Sequence, residues 1–203
     1  MPARLPASYR PAILPALCLL ALCVCAALPA AANAAALTKY IQTADNFIIL
    51  FDTSGSMAAE YPPSRTSKLY AATDLLRAVN ADIPDFPYKA ALLTFTPWQE
   101  YYPLQTYDKA AFARAIESLP KSVPGGATFG PPTPLGEALR GVGRMLKELS
   151  GRTVVFLFSD GRNTDRWNPV KIARELGAKH DVCFMVVDMS RYPEGRNMLK
   201  GIA

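Results

Sequence analysis

Histidine is almost absent from this chain: His180 is the only histidine in 203 residues. It stands just before an apolar run near the C-terminal end, away from the polar clusters described below, so no Ser-His-Asp catalytic set is expected. The sequence also has no Gly-x-x-x-x-Gly-Lys-Ser/Thr segment, the loop that cradles nucleotide phosphates. These absences exclude a hydrolase of the triad type and a nucleotide-binding protein of the P-loop type.

Cysteine is also scarce in the part of the chain that we expect to fold. Three of the four cysteines lie in an N-terminal segment predicted below to be a cleaved leader, so only Cys183 remains in the mature chain. A disulfide within the mature domain is therefore excluded. Cys183 lies in the apolar run Val182-Cys183-Phe184-Met185-Val186-Val187, which predicts a buried core thiol.

Neither sign of charge dominates the sequence. Lys plus Arg number 22 and Asp plus Glu number 17, a net charge of +5. Arg4 and Arg10 belong to the predicted leader, so its removal leaves 20 basic against 17 acidic residues and a net charge of +3. The remaining basic residues are scattered, without a basic run or interleaved aromatics, which indicates a solvated surface and no nucleic-acid partner.

The N-terminal segment has the layout of a secretory signal peptide. Two arginines precede an apolar stretch, and a tract of small residues with an A-x-A pattern follows it. We therefore predict a signal peptide over residues 1–36, cleaved after Ala34 or Ala36, and an exported domain over residues 37–203. A membrane anchor is the alternative interpretation, but Pro15 interrupts the apolar stretch.

Beyond the leader, short apolar runs alternate with amphipathic segments, the pattern of an α/β sheet with helices on both faces. The apolar runs predict five strands, at residues 47–51, 88–95, 98–107, 153–158 and 181–187. Helices are predicted from Thr66 or Ser67 with a hydroxyl cap, from Asp108 to Ser118, after Thr133, over 169–177 and over 193–202. The predicted fold class is a doubly wound α/β fold, in which ligands bind at the carboxyl ends of the strands.

Polar side chains follow the first predicted strand, Phe47-Ile48-Ile49-Leu50-Phe51, at the point where it ends. This strand is apolar at every position, as expected for a central parallel strand buried on both faces. Asp52, Ser54 and Ser56 then occupy every second position, with Gly55 between the serines to allow a tight turn. Oxygen-bearing side chains at the end of a buried strand predict a site for a hard cation.

The segment Asp52-Thr53-Ser54-Gly55-Ser56 resembles the metal-ion-dependent adhesion site, or MIDAS, of von Willebrand factor A (vWA) domains. Domains of this family add a threonine and an aspartate from two distant loops. Thr133, in Pro132-Thr133-Pro134-Leu135-Gly136, and Asp160, in Phe158-Ser159-Asp160-Gly161, stand in the family's order and approximate spacing. The resemblance therefore implies a metal site made of Asp52, Ser54, Ser56, Thr133 and Asp160.

The loops around this site leave two assignments open. Thr128 competes with Thr133 for the threonine position, and Thr133 is also expected to cap the next helix, with Pro134 as the first helical residue. Asp165 lies in the loop after Asp160 and can approach a cation, although a loop acid of this kind is expected to be solvated.

The implied ligands are carboxylate and hydroxyl oxygens, which favours Mg²⁺, Mn²⁺ or Ca²⁺ over zinc. The resemblance implies that water or a partner protein fills the remaining coordination positions. Because two aspartates balance the two charges of the cation, an Asp or Glu side chain of another protein can complete the shell without strong repulsion.

The resemblance also implies a Rossmann-like, mostly parallel sheet with one antiparallel edge strand. A complete domain of this family would add one more strand and a closing helix after Ala203, so we expect the sequence to be either truncated or a naturally shortened form. It implies a non-catalytic, adhesion-type protein-binding domain, placed in the periplasm or cell envelope by the predicted export. One alternative is a structural envelope component whose ion only stabilises the fold, held to the envelope or peptidoglycan through a region beyond Ala203. Another is a metal-dependent phosphohydrolase of the haloacid dehalogenase type, which requires a carboxylate where Ser54 stands.

Overall fold

A computed structural model of the chain describes residues 40–203. The predicted signal peptide over residues 1–36 and the start of the predicted domain at residue 37 lie outside the described residues, and they stay predictions. Within residues 40–203, no helix has both the length and the apolar character needed to cross a membrane.

The described residues alternate between strands and helices, as the sequence predicts. The strands are β1 Asn46–Phe51, β2 Glu60–Tyr61, β3 Thr66–Ser67, β4 Lys89–Phe95, β5 Trp98–Thr106, β6 Thr153–Ser159 and β7 Val182–Asp188. The helices are α1 Lys68–Asp82, α2 Lys109–Glu117, α3 Gly126–Phe129, α4 Leu135–Met145, α5 Pro169–Lys179 and α6 Pro193–Ile202, with short 3-10 helices at Gly55–Ala58 and Leu146–Glu148.

The main sheet has five strands in the order β5-β4-β1-β6-β7, and β2 and β3 form a separate two-stranded sheet. Strands β4, β1, β6 and β7 are parallel, whereas β5 runs antiparallel to β4 at one edge. Helices α1 and α2 pack on one face of the sheet, and α4, α5 and α6 pack on the other. The predicted doubly wound α/β fold with one antiparallel edge strand is therefore confirmed.

Strand β1 is the centre of the sheet, and all six of its residues are buried. Phe47, Ile49 and Phe51 point into the core under α1 and α2, while Ile48 and Leu50 point into the core under α4, α5 and α6. Because successive side chains of a strand point to opposite faces, a strand covered on both sides must be apolar at every position. This requirement explains the uninterrupted apolar run that precedes Asp52.

Two helices begin where the sequence predicts and use the predicted caps. The Ser67 hydroxyl accepts a hydrogen bond of 3.1 Å from the Tyr70 amide at the start of α1. The Asp108 carboxylate accepts one of 2.6 Å from the Ala111 amide at the start of α2. Each cap satisfies an N–H group that has no partner within its helix.

Helix α4 is capped differently from the prediction, so the assignment of Thr133 as its cap was wrong. The helix begins at Leu135, and Thr133 makes no capping bond. Instead, Asn163 Oδ1 accepts from the Gly136 amide at 3.3 Å, and Asp165 Oδ2 accepts from the Glu137 amide at 2.7 Å. The loop after β6 thus caps α4 from a distant part of the chain, and Asp165 is half-buried in this role rather than solvated.

The prediction of a buried thiol at Cys183 was also wrong, because this side chain is exposed. Strand β7 lies at the edge of the described sheet. Phe184 points toward the layer of α5 and α6 and is buried. Cys183 and Met185 point to the opposite face, where Met185 is 50% exposed. An apolar run at a sheet edge can therefore be covered on one face only.

Candidate metal centre

The sheet register places the two predicted aspartates at one edge. Phe51, the last residue of β1, lies opposite Phe158 of β6. The Asp52 amide continues this ladder with a hydrogen bond of 2.9 Å to the Phe158 carbonyl oxygen. Asp52 and Asp160 therefore follow adjacent parallel strands, and their exposed fractions are 0% and 3%. Both carboxyl groups lie at the carboxyl end of the sheet, where open α/β folds bind ligands.

The two serines of the first loop form a continuous row of oxygens with Asp160. Ser54 Oγ and Ser56 Oγ are hydrogen-bonded at 3.2 Å, and Ser56 Oγ donates to Asp160 Oδ1 at 3.0 Å. The 3-10 helix at Gly55–Ala58 turns the chain so that both hydroxyls point to the same side. Three of the predicted side chains are thus linked by direct contacts, one of which, between Ser56 and Asp160, joins residues 104 positions apart in sequence.

The buried Asp52 carboxylate is held by two donors from neighbouring residues of the site. Ser159 Oγ donates to Asp52 Oδ2 at 2.6 Å, and the Ser54 amide donates to Asp52 Oδ1 at 2.8 Å. Burial raises the pKa of the Asp52 carboxyl to about 6, and the two hydrogen bonds oppose this shift only in part. Ser159 was missed by the sequence reasoning, although it directly precedes Asp160 at the end of β6.

Lys68 is the second residue that the sequence reasoning missed. It is the first residue of α1, and its Nζ lies 2.6 Å from Asp160 Oδ2. The side chains of Lys68 and Asp160 are only 4% and 2% exposed. Lysine is rarely buried to this degree unless it is paired with an acid, and nothing in the local sequence around Lys68 marks it as such a case. One ammonium and two carboxylates therefore share this edge.

Thr133 lies between the two loops that carry the other predicted residues. Its amide donates to Thr164 Oγ1 at 2.9 Å, and its carbonyl oxygen accepts from the Thr164 amide at 2.9 Å. Within residues 40–203, no hydrogen bond joins the Thr133 side chain to the other four predicted residues. Thr133 is 3% exposed, whereas the competing candidate Thr128 is exposed on α3.

Two glycines join the loop of Thr133 to the loop of the serines. The Gly55 amide donates to the Pro131 carbonyl oxygen at 2.9 Å. Gly130 and Gly55 approach so closely that a Cβ atom on Gly130 would lie 2.5 Å from Gly55 Cα. Neither position can hold a larger side chain unless the backbone moves. The path of residues 130–133 past the site therefore depends on glycine at both places.

Comparison with known families matches the von Willebrand factor type A domain to residues 47–163, more than half of the chain. The chain belongs to this family. The match confirms the family predicted from the sequence. No curated protein matches the sequence significantly.

Solved structures similar to this vWA domain include proteins of three different organisms. An aerotolerance-related membrane protein of Bacteroides fragilis is 22% identical, with a TM-score of 0.55, over 70% of this chain and 66% of that one. Manganese-loaded TRAP protein of Plasmodium vivax is 20% identical, with a TM-score of 0.55, over 75% and 61%. Proximal thread matrix protein 1 of the mussel byssus, with a zinc-occupied MIDAS motif, is 21% identical, with a TM-score of 0.57, over 78% and 38%.

At these identities the similarity establishes the fold alone. This vWA domain spans 66% or less of the length of each of the three proteins. Two of the three are described with a divalent metal, manganese or zinc.

The spacing of three oxygen atoms in this vWA domain is compatible with a hard divalent cation. Magnesium takes about six oxygen ligands at roughly 2.1 Å, so neighbouring ligand oxygens lie about 3 Å apart. The distances of 3.2 Å between Ser54 Oγ and Ser56 Oγ and of 3.0 Å between Ser56 Oγ and Asp160 Oδ1 match this spacing. The described residues contain no group of three or more His, Cys, Asp or Glu side chains suited to a metal, so the hydroxyl oxygens are essential to the fit.

A surface cavity of about 290 Å³ opens beside Asp160 in this vWA domain. Its walls include Arg162, Arg191 and Tyr192, all of which are exposed, together with Glu194. His180, by contrast, precedes the amino end of β7 and lies at the opposite end of the strands. The surface next to the predicted site is thus basic and aromatic.

Proposed function

We propose that this vWA domain is a non-catalytic, divalent-metal-dependent protein-binding domain of an exported cell-envelope protein. The observation that carries the proposal is the row of contacting oxygens from Ser54, Ser56 and Asp160 at the end of the central strands, with the Asp52 carboxylate bound to the Ser54 amide. Oxygens of separated loops that meet at the carboxyl edge of a doubly wound sheet are suited to bind a ligand there.

The ion assigned to this site is Mg²⁺, with Mn²⁺ or Ca²⁺ as close chemical alternatives. Ser54, Ser56 and Thr133 would hold it directly, and Asp52 and Asp160 would hold it directly or through water. Once bound, the ion supplies an open coordination position for a carboxylate from a partner protein. The manganese and zinc recorded in two similar structures support a divalent ion.

The surroundings of Asp160 suit an acidic partner. Arg162 and Arg191 line the adjacent cavity with Glu194, and the two exposed arginines would attract a carboxylate-bearing surface. Tyr192 is 54% exposed in the same wall, and Phe129, which precedes Gly130, is 87% exposed. Aromatic residues and arginine are enriched at the centres of protein interfaces. These features support recognition of another protein through an Asp or Glu side chain.

The position of Asp52 argues against the phosphohydrolase alternative. A nucleophilic aspartate must reach the phosphorus atom of its substrate. Asp52 is 0% exposed, and its two carboxylate oxygens accept from Ser159 and from the Ser54 amide. A buried carboxylate with both oxygens occupied supports a role in organising the site rather than in attack.

Export and attachment to the envelope are part of the proposal. The signal-peptide pattern over residues 1–36 supports export, and the similar Bacteroides fragilis structure is that of a membrane protein. A structural envelope component whose ion only stabilises the fold, with association to peptidoglycan through a further region, is the second candidate. It is supported by the burial of the two carboxylates of the site, since Asp52 is 0% and Asp160 3% exposed.

Isothermal titration calorimetry of the purified domain with Mg²⁺ and Mn²⁺ tests the ion directly. We expect saturable binding of one ion per chain. A pull-down from envelope extract in Mg²⁺, repeated with a chelator and with Asp52→Asn, then tests the partner. Capture that persists unchanged in chelator would favour the structural role, and a flat titration with both ions would refute the metal site.

Ion binding is expected to weaken as the pH falls through 6. The Asp52 carboxyl has its pKa raised from 3.8 to about 6, so protons compete with the cation below that value. The apparent affinity for Mn²⁺ should fall about tenfold between pH 7 and pH 5. The stability of the metal-free protein has the opposite pH dependence. The raised pKa of Asp52 contributes folding stability that is fully present below about pH 3.8 and is lost as the pH rises through about 6.

Two measurements as a function of pH check these expectations. Calorimetry gives the affinity for Mn²⁺, and thermal melts give the stability of the metal-free protein. Asp52→Asn is the matched control, because it cannot titrate and should flatten the slope of the metal-free melts. A Mn²⁺ affinity that is constant from pH 7 to pH 5 would show that Asp52 does not contribute to the ion site in its ionised form.

A further inference from the structure

We infer that the ammonium group of Lys68 acts as a permanent cation at the proposed metal site. Lys68 holds Asp160 in place before a metal ion binds, and its charge weakens the binding of that ion. The inference rests on the proposed function, since it concerns the same site. Lys68 is not one of the predicted metal ligands.

The geometry places the ammonium where a metal would need access. Asp160 Oδ2 receives Lys68 Nζ at 2.6 Å, and Asp160 Oδ1 receives Ser56 Oγ at 3.0 Å, so both oxygens of this carboxylate are already occupied. An ion that draws on Asp160 must therefore share one of these oxygens or displace its donor. Lys68 is the stronger competitor because a charge-assisted hydrogen bond exceeds a neutral one.

The lysine is also fixed at its backbone end. Its amide donates to the Ala59 carbonyl oxygen at 2.9 Å, next to the 3-10 helix that carries Ser56. The preceding residue, Ser67, caps α1. Since both the backbone and the ammonium are held, Lys68 ties the start of α1 to the end of β6 across 92 positions of sequence. The site is thereby organised before any ion arrives.

The charge balance gives the consequence for metal binding. Asp52 and Asp160, when ionised, carry two negative charges, and Lys68 reduces the net charge of the buried group to −1. A divalent ion would bring it to +1, whereas in the absence of Lys68 the same ion would bring it to zero. The lysine therefore opposes a divalent cation by direct repulsion in a site with little solvent screening.

The same balance couples the ion to the partner. A site with a net charge of +1 is neutralised by one carboxylate, so an acidic partner is expected to tighten the binding of the ion, and by linkage the ion tightens the binding of the partner. Lys68 would thus make ion and carboxylate bind together more readily than either binds alone. Without Lys68, the ion alone completes the balance and the coupling should decrease.

The experiment compares Lys68→Met with wild type by calorimetric titration with Mn²⁺, with and without acetate as a carboxylate probe. We expect Lys68→Met to bind Mn²⁺ about 10- to 100-fold more tightly, because the substitution removes a like charge a few ångströms from the ion. Its metal-free melting temperature should be lower, because Asp160 loses its buried partner, and saturating Mn²⁺ should raise that temperature more than in wild type. Acetate should tighten Mn²⁺ binding in wild type more than in the variant.

Arg196→Met is the matched control, because Arg196 Nε pairs at 3.1 Å with Oδ2 of Asp188, the last residue of the adjacent strand β7. It should leave Mn²⁺ affinity at the wild-type value. If Lys68→Met does not fold, Lys68→Gln replaces it, since the glutamine amide can still donate to Asp160 without a charge. Equal or weaker Mn²⁺ binding by the variant would overturn the inference and leave the proposed function standing, whereas the absence of binding in wild type would refute the metal site itself.

Discussion

Asp52→Asn is expected to abolish the binding of Mg²⁺ and Mn²⁺, with an affinity at least about 100-fold below that of wild type. The substitution keeps the shape of the side chain and an oxygen for the Ser54 amide, so the fold should be retained. It removes one of two buried carboxylates, and with Lys68 present the net charge of the group rises from −1 to zero. A neutral cluster no longer attracts a divalent cation.

Calorimetry against both ions measures this loss, and circular dichroism confirms that the variant is folded. Asp188→Asn is the matched control: Asp188 ends β7, next to β6 at the same edge of the sheet, but it is paired with Arg196 and is not among the predicted ligands. Its titration should match that of wild type. Identical isotherms for Asp52→Asn and wild type would end the metal proposal.

Gly130→Ala is expected to impair the site and the fold together. The new Cβ would lie 2.5 Å from Gly55 Cα and would also collide with the Gly126 carbonyl oxygen, so backbone must move on both sides. Overpacking of this kind costs roughly 1–3 kcal/mol in the free energy of unfolding. The movement separates the loop of Thr133 from the loop of Ser54 and Ser56, which should weaken Mn²⁺ binding about tenfold or more.

Urea denaturation and Mn²⁺ titration measure the two effects. Gly177→Ala is the control, and its effect on stability should be opposite. A Cβ atom at Gly177 meets nothing within 4 Å, and the residue lies within helix α5. That substitution should stabilise the protein by about 0.5–1 kcal/mol and leave ion binding unchanged. If Gly130→Ala has wild-type stability and affinity, the contact between the two loops is not what positions Thr133.

The proposed metal site depends on elements far apart in sequence, and the central sheet brings them together. Strand β1 supplies the loop of Asp52, strand β6 supplies Asp160, and α1 supplies Lys68. Pairing of Phe51 with Phe158 sets Asp52 beside Ser159, the last residue of β6, and Asp160 follows one residue later at the same edge of the sheet. The strand register is therefore the main determinant of the site, and the core side chains under β1 maintain it.

Local chemistry made much of the architecture predictable. The apolar run of β1, the caps at Ser67 and Asp108, and the pair of strands at the antiparallel edge all follow from residues that are neighbours in sequence. The predicted ligand residues followed from a family pattern, and the structure brings Asp52, Ser54, Ser56 and Asp160 together at one edge.

Contacts between distant segments decided the rest. No local pattern could show that the loop after β6 caps α4, that the edge position of β7 exposes Cys183, or that Lys68 reaches Asp160 across 92 residues and Ser159 reaches Asp52 across 107. Helix caps and strand periodicity arise from interactions within a few residues, so they can be recognised in the amino-acid sequence. The partners of buried polar groups depend on which strands pair and in what register, and only the folded chain establishes that.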